Sequence, residues 1–235
     1  HIMNGAVEND SFIVKEARQD IYKLYNTSQV FISPEGDWTK GVNNAVRERS
    51  QQRTCWVRGP YTSPYFIATQ FRHLVLIASG IGITPALGVM GQYPGFSRTK
   101  VLIWMVRSKV MLKFFIPLME DSHLALIFYT GKEKLTREEV DNLHSQGNIR
   151  VQQTRPESLG DTIESVIVRF ENTFEDKTQT NSTWNFHHTH LDTIQLRHKE
   201  SWCVMYCGGS VTVKNLLKGF TKENSLGFKA EFFDW

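Results

Sequence analysis

The sequence predicts an α/β protein with a doubly wound parallel sheet, and three observations carry this prediction. From residue 73 onward, short apolar runs alternate with longer amphipathic stretches, which is the pattern of β-α units in series. The apolar runs are continuous, as in strands that are buried on both faces. The amphipathic stretches also carry helix signals, for example Thr136 as an N-cap with Glu139 at capping-box spacing and a glycine that closes the stretch.

The elements follow one another in order as five β-α units and a last strand. The predicted strands are HLVLIAS (73–79), KVLIWMV (100–106), LALIFYT (124–130), NIRVQQT (148–154), WCVMYC (202–207) and FKAEFF (228–233). The predicted helices cover residues 85–93, 110–121, 136–147, 158–174 and 211–223. We expect Pro85 at the first position of its helix, where its missing N–H is not needed, and Pro117 to break or kink the second helix.

Residues 1–66 lack this alternation, so we divide the chain into a segment at 1–66 and a domain of β-α units at 67–235. Apolar runs at 30–33 and 55–59, with a helical stretch at 43–52, predict the end of a mostly β domain.

Residues 175–200 are polar and have no clear period, which predicts a surface insertion. His187, His188 and His190 lie in it, but they lack both helical ligand spacing and a neighbouring cysteine, so we predict no metal site. We expect His1, Ile2 and Met3 to be a cloning remnant, and the chain to be part of a longer protein.

Composition excludes some classes of function. The net charge is +3 at pH 7 and the charges are interleaved, so the sequence does not favour nucleic-acid binding. The 3 cysteines, an odd number, indicate free thiols rather than a disulfide framework. The apolar stretch 74–90 contains two glycines and a proline at its centre, which a membrane-spanning helix would not choose.

The first β-to-α turn has the residues that a phosphate-binding turn needs. Gly80 and Gly82 let the backbone turn sharply and approach a diphosphate, and Thr84 can add a hydroxyl. Pro85 then starts a helix whose positive dipole end faces the ligand. In a doubly wound sheet, ligands bind at this position. We therefore expect a valine at Gly82 to abolish dinucleotide binding without unfolding the domain.

Two arginines follow strands at positions where residues of a dinucleotide-binding fold contact the adenosine ribose. Arg107 comes after the second strand, in a run without the acid that favours NADH, and Arg155 comes after the fourth. A 2′-phosphate calls for arginine, so the pair predicts NADPH over NADH, although each alone is more often a solvated residue at the end of an element. Cys207, Gly208 and Gly209 open the fifth β-α unit and allow a second close backbone approach, although Cys207 could also be a buried structural residue.

Several segments together resemble the NADPH oxidase and ferric reductase branch of the ferredoxin–NADP reductase superfamily. The segments are GDWT (36–39), GPYTSP (59–64), GIGITP (80–85), WMVRS (104–108), TRPES (154–158), YCGGS (206–210) and the terminal aromatic Trp235. They agree with that family in order and spacing over residues 36–235. One departure is Thr154, which stands where the family has glycine.

The resemblance implies roles for particular residues. Pro60 and Tyr61 would lie in the FAD site, and Pro156 would accompany Arg155 in the NADPH site. Cys207 would face the nicotinamide, and Trp235 would cover the flavin ring and move before hydride transfer, which makes these two the catalytic residues. The family's flavin-binding H-P-F-T/S motif is absent from residues 1–35. The flavin-binding barrel is therefore expected to be truncated, with FAD held mainly by regions outside this chain.

The resemblance also implies a function. The chain would be the NADPH-binding dehydrogenase module of a membrane flavocytochrome, on the cytosolic face of the membrane. Hydride would pass from NADPH to FAD, and electrons would then pass to haem in an upstream membrane domain and reduce oxygen to superoxide or hydrogen peroxide. The alternatives are a ferric-chelate reductase of the same family and a soluble flavin reductase served by a ferredoxin-like partner. A non-enzyme alternative is a degenerate interaction module, whose 175–200 insertion docks a regulatory protein.

Overall fold

The computed structural model describes residues 32, 36–48, 64–92, 99–175 and 201–232. Its strands are β1 (His73–Ser79), β2 (Thr99–Val106), β3 (Leu124–Tyr129), β4 (Ile149–Gln152), β5 (Trp202–Gly208) and β6 (Gly227–Phe232). Its α-helices are α1 (Asp37–Glu48), α2 (Ile83–Gln92), α3 (Lys109–Phe115), α4 (Arg137–His144), α5 (Leu159–Glu175) and α6 (Val211–Glu223). Short 3₁₀ helices cover Pro64–Gln70, Gly80–Gly82 and Ile116–Met119.

The six strands form one parallel sheet in the order β4-β3-β2-β1-β5-β6. The chain moves outward from β1 to β4 and then returns to the other side of β1 for β5 and β6. The strand order therefore reverses between β1 and β5, and in open α/β sheets the ligand crevice lies at that point, beyond the carboxyl ends of the strands. The predicted fold class, a doubly wound parallel α/β sheet, is confirmed.

Helices cover both faces of the sheet. Helices α2, α3 and α4 pack on one face together with the 3₁₀ helix Pro64–Gln70, and α5 and α6 pack on the other. In β1, Leu74 and Leu76 point to the first face while Val75 and Ile77 point to the second, and all four are buried. Burial on both faces explains why the strands appear in the sequence as unbroken apolar runs.

The first helix of the nucleotide domain begins earlier than the sequence predicted. Helix α2 starts at Ile83, directly after the 3₁₀ turn Gly80–Gly82, so Pro85 is its third residue rather than its first. The 3₁₀ turn leads into the helix, and a proline is tolerated anywhere in the first helical turn because N–H groups there have no intrahelical partner. The break at Pro117 is confirmed, since α3 ends at Phe115 and a 3₁₀ turn follows.

The helical stretch predicted at 43–52 begins earlier than predicted, and residues 49–52 lie outside the described part of the chain. Helix α1 covers Asp37–Glu48, so the GDWT segment forms its first turn rather than preceding it. The Gly36 N–H donates to Thr39 Oγ1 at 3.0 Å, and the Thr39 hydroxyl donates back to the Gly36 carbonyl at 2.9 Å. Apart from Ile32, the apolar runs at 30–33 and 55–59 lie outside the described residues, and so does most of the 175–200 insertion.

The proposed domain division at residue 66 falls inside the 3₁₀ helix Pro64–Gln70. Tyr65 and Ala68 lie on either side of this position, and both are buried in the core on the first face of the sheet. The described residues therefore place at least one side chain from before residue 67 in the nucleotide domain. The division itself stays a prediction.

Helix α4 is fixed at its start by a capping box and by two lysines from α3. The Glu139 N–H donates to Thr136 Oγ1 at 3.2 Å, and the Thr136 N–H donates to Glu139 Oε2 at 2.9 Å, as the sequence predicted. Lys109 and Lys113 approach the same carboxylate at 3.0 and 3.2 Å. The backbone N–H of Thr136 and the hydrogen bond from Lys109 lower the pKa of Glu139 to about 2.

We expect Glu139→Gln to lower the free energy of unfolding at pH 7 by about 1 kcal/mol, because partly exposed ion pairs contribute little each. The pKa of Glu139 is lower in the folded state than the ordinary value of about 4.3, so its charge stabilises the fold above that value. This contribution is lost as pH falls toward about 2. Urea unfolding at pH 7 and pH 3 should show the difference between wild type and variant shrinking. Glu138→Gln is the control, and an equal loss there would contradict the role of Glu139.

Candidate functional site

The turn after β1 opens onto free space at the carboxyl edge of the sheet. Gly80 has φ +54°, a left-handed conformation that favours glycine. A Cβ at this position would meet no described atom within 4 Å. The backbone of this half-buried glycine is therefore open on the side to which a Cβ would point. This geometry fits the diphosphate-binding role predicted for the turn.

The turn is held from the neighbouring strand by Trp104, which the residue-based prediction of the site did not include. The indole Nε1–H of Trp104 donates to the Gly80 carbonyl at 2.9 Å. Trp104 is fully buried and is paired in register with Ala78, two residues before Gly80. The Ile83 N–H donates to the same carbonyl. The Gly80 carbonyl thus has two protein donors. The available signal in the sequence was a tryptophan inside a buried strand next to β1.

Gly82 is required by packing against β5. A Cβ at Gly82 would overlap the carbonyl oxygen of Cys207, and it would lie 2.8 Å from the carbonyl carbon and 3.2 Å from Sγ. These distances are too short for any other residue unless the backbone moves. The expectation that a valine at Gly82 would leave the fold intact is therefore corrected. The missing side chain at Gly82 lets the turn after β1 pack closely against the end of β5. The open space lies beside Gly80 instead.

Gly208 completes the contact between the two predicted turns. A Cβ at Gly208 would lie 2.9 Å from Cβ of Ser79 and 2.7 Å from the Tyr206 hydroxyl. The end of β5 therefore touches the end of β1, while the next residue, Gly209, is exposed. The structure brings Gly80, Gly82, Cys207 and Gly208 together at the switch point of the sheet.

Cys207 lies in a buried cluster of titratable groups. Its thiol is hydrogen-bonded to the Tyr65 hydroxyl, and its neighbour in register on β6 is Glu231. Burial, together with the charge of Glu231, raises the pKa of Cys207 to about 12, and burial also raises the pKa of Tyr65. The thiol is therefore protonated at neutral pH, and nucleophilic chemistry at this sulfur is not expected. Burial similarly raises the pKa of Glu231.

The two predicted arginines follow strands that are not neighbours. Arg107 follows β2 and Arg155 lies three residues after β4, with β3 between these strands. Two strand spacings separate β2 from β4 by about 10 Å. Both arginines are exposed, and among the described residues neither forms an ion pair. They share one edge of the sheet, and only their long side chains could meet at a common phosphate.

The other predicted residues divide into described and undescribed ones. Thr84 and Pro85 lie partly buried in the first turn of α2, and Pro156 is partly buried beside Arg155. The residues of the site or of the rejected metal cluster that lie outside the described part are Pro60, Tyr61, Trp235, His187, His188 and His190. The flavin side of the predicted site therefore stays a prediction.

Two features are absent from the described part of the chain. No group of three or more histidine, cysteine, aspartate or glutamate side chains lies close enough there to hold a metal ion. In the same residues, no helix combines the length and the apolar character that crossing a membrane requires.

Comparison with known proteins gives one distant similarity. No family model matches the chain. The chain is 29% identical over 100 residues to ferric reduction oxidase 8, mitochondrial, from Arabidopsis thaliana. The match covers 38% of this chain and 14% of that protein. This similarity supports a distant relationship to an oxidoreductase of the ferric reductase type.

Proposed function

We propose that this chain binds NADPH and serves as the dehydrogenase module of a ferric reductase or NADPH oxidase. The observation that carries the proposal is the meeting of two glycine turns, Gly80–Gly82 and Gly208–Gly209, at the switch point of a parallel sheet. Dinucleotides bind across such a crevice in doubly wound folds. The ferric reduction oxidase relative supports the reaction class.

The turn at Gly80 would receive the diphosphate. Its φ of +54° and the open space beside it allow phosphate oxygens to approach the backbone. Trp104 would keep the turn in this shape, because its indole N–H donates to the Gly80 carbonyl at 2.9 Å. Thr84 and the first turn of α2 would add a hydroxyl and the positive end of a helix dipole. These residues position the cofactor and perform no proton transfer.

The end of β5 would receive the nicotinamide half. Gly208 and Gly209 would let the ring come close to the backbone, and Cys207 would lie beneath it as a neutral thiol. Bound NADPH supplies a hydride, and FAD accepts it and delivers electrons singly. The protein would contribute binding, orientation and exclusion of water, since no charged catalytic group is required. The roles of Cys207 and Trp235 as catalytic residues, and of Pro60 and Tyr61 at FAD, belong to this proposal.

The final electron acceptor is proposed to be ferric iron in a chelate. The sequence favoured oxygen as the electron acceptor, with a ferric chelate as the alternative. The relative is named for ferric reduction, which favours the ferric chelate. Electrons would reach it through FAD and haem in a membrane domain of the same polypeptide, with this module on the cytosolic face. A soluble flavin reductase and an interaction module without turnover are the competing functions. The interaction module should bind neither NADPH nor NADP⁺, so nucleotide titration separates it from the enzymes.

The test of the proposed function is the cofactor preference of an Arg107 variant. If Arg107 holds the 2′-phosphate, Arg107→Ala should weaken NADPH binding about tenfold or more, because a charge-assisted contact contributes about 1.5–3 kcal/mol. NADH lacks this phosphate, and its affinity should stay nearly unchanged. Calorimetric titration of both cofactors measures the two effects, and Arg155→Ala should show the same selectivity if it shares the phosphate. Equal losses for NADPH and NADH would refute the assignment.

A further inference from the structure

The loop after β3 lies against the residue predicted to bind the 2′-phosphate. A Cβ at Gly131 would overlap both the Arg107 carbonyl oxygen and the Tyr129 hydroxyl, so the two loops are in direct contact. The Tyr129 hydroxyl also donates to the Glu133 carbonyl at 2.6 Å. These contacts fix the segment from Gly131 to Glu133 beside the end of β2.

An ion pair crosses between these two loops. Lys109 lies two residues after Arg107, and its Nζ is 2.8 Å from Glu133 Oε1 and 3.0 Å from Glu139 Oε2. The Lys109 side chain is only 16% exposed. A second cation thus lies two residues from Arg107 in the chain, and its charge is neutralised by two carboxylates.

The two carboxylates differ in how firmly they are held. Glu139 is 25% exposed, and it also accepts from the Thr136 N–H and pairs with Lys113. Glu133 is 72% exposed, and among the described residues its carboxylate pairs only with Lys109. Glu139 therefore anchors Lys109, and Glu133 is the partner that another anion can replace. A phosphate dianion carries more charge than a carboxylate and has more acceptor oxygens.

We propose that Lys109 is a second cation for the 2′-phosphate, held ready by Glu139, and that Glu133 is the specificity-determining residue that competes with the phosphate for it. This inference rests on the proposed function, because it assigns further residues to the same NADPH site. On binding, the phosphate takes the place of the Glu133 carboxylate beside Lys109, and Glu133 turns into solvent. Arg107 and Lys109 then hold the phosphate from adjacent positions, without a need to bridge the distance to Arg155.

The test uses the whole chain and two nucleotides without nicotinamide. 2′,5′-ADP carries the 2′-phosphate and 5′-AMP does not, so their comparison isolates this contact. Glu133→Gln should tighten 2′,5′-ADP binding about threefold to tenfold and leave 5′-AMP unchanged. Lys109→Gln should weaken 2′,5′-ADP about tenfold. In the double variant the gain from Glu133→Gln should disappear, because Lys109 is no longer there to be released.

Two control variants change the net charge by one unit at residues outside the Lys109–Glu133 pair. Glu138→Gln takes one exposed negative charge from the same helix end, and Lys113→Gln takes one positive charge from the same carboxylate cluster. A gain with Glu133→Gln that equals the gain with Glu138→Gln would overturn the inference, and so would a gain that survives in the double variant. Since Glu133 is exposed, Glu133→Gln is expected to fold even if Lys109→Gln does not. Failure of the wild-type chain to bind 2′,5′-ADP would overturn the proposed function as well as this inference.

Discussion

Gly82→Ala is expected to lower the free energy of unfolding by about 2–3 kcal/mol, the cost of forcing a methyl group into a packed site. The added Cβ would overlap the carbonyl oxygen of Cys207. That oxygen belongs to β5, which is paired with β1 on one side and β6 on the other, so it cannot move aside without disturbing the sheet. Denaturation by urea, followed by circular dichroism, measures the loss.

Gly88→Ala supplies the control for this prediction. Gly88 lies in α2, a few residues from Gly82, and a Cβ there would meet no atom of the described residues within 4 Å. Alanine in the interior of a helix is favoured over glycine by about 0.5–1 kcal/mol, so this variant should be slightly more stable than wild type. If both alanine variants changed stability in the same direction, the close contact between Gly82 and Cys207 would be wrong.

The second large effect is expected at Gly80, on binding rather than on folding. Asparagine tolerates the left-handed conformation better than most residues, so Gly80→Asn should keep the fold at a small cost in stability. Its side chain would enter the open space beside the turn, where we place the diphosphate. We expect NADP⁺ affinity to fall more than tenfold, which calorimetry can measure.

Gly147→Asn is the matched control for Gly80→Asn. Gly147 also has a positive φ, +80°, and free space beside it, but it lies between α4 and β4, at the other edge of the sheet. Both variants therefore carry the same type of backbone strain, and only one should lose the nucleotide. A Gly80→Asn protein that binds NADP⁺ as tightly as Gly147→Asn would show that the diphosphate does not lie on this turn.

The sequence was sufficient for the fold because each element carries its own local signal. The unbroken apolar run HLVLIAS predicted β1 at its observed bounds, His73–Ser79, since a strand buried on both faces has no polar alternation. The capping box at Thr136 and Glu139 predicted the start of α4 in the same way. The spacing of these elements along the chain then fixed the doubly wound class.

Contacts between elements could not be predicted in this way. The close contact of Gly82 with Cys207, a residue 125 positions later in the sequence, was not predicted. The bond from Trp104 to Gly80 likewise depends on the register between β1 and β2. The pairing of Lys109 with Glu133 depends on the order of β2 and β3 in the sheet. One sequence carries no signal for register, so these features required the structure.

Lys100, in the core, is another residue whose contacts could not be predicted from the sequence. It opens the predicted strand KVLIWMV, where a lysine would ordinarily lie at the exposed end of a strand. In the structure its side chain is fully buried, with Nζ 3.5 Å from the Met90 carbonyl oxygen. Burial lowers the pKa of Lys100, and nearby Asp121 opposes this effect. The end of α2 lies against the start of β2, which the local pattern does not reveal.

The most direct test of the account follows backbone amide signals of the ¹⁵N-labelled chain by NMR during titration with NADP⁺. If the dinucleotide lies across the two glycine turns, the amides of Gly80, Ile81, Gly82, Gly208 and Gly209 should shift together along one saturation curve. Signals at the opposite end of the sheet, such as Lys100 at the start of β2, should stay in place. No shift at millimolar NADP⁺, or shifts that leave both turns unchanged, would contradict the central claim that these turns form a nucleotide site.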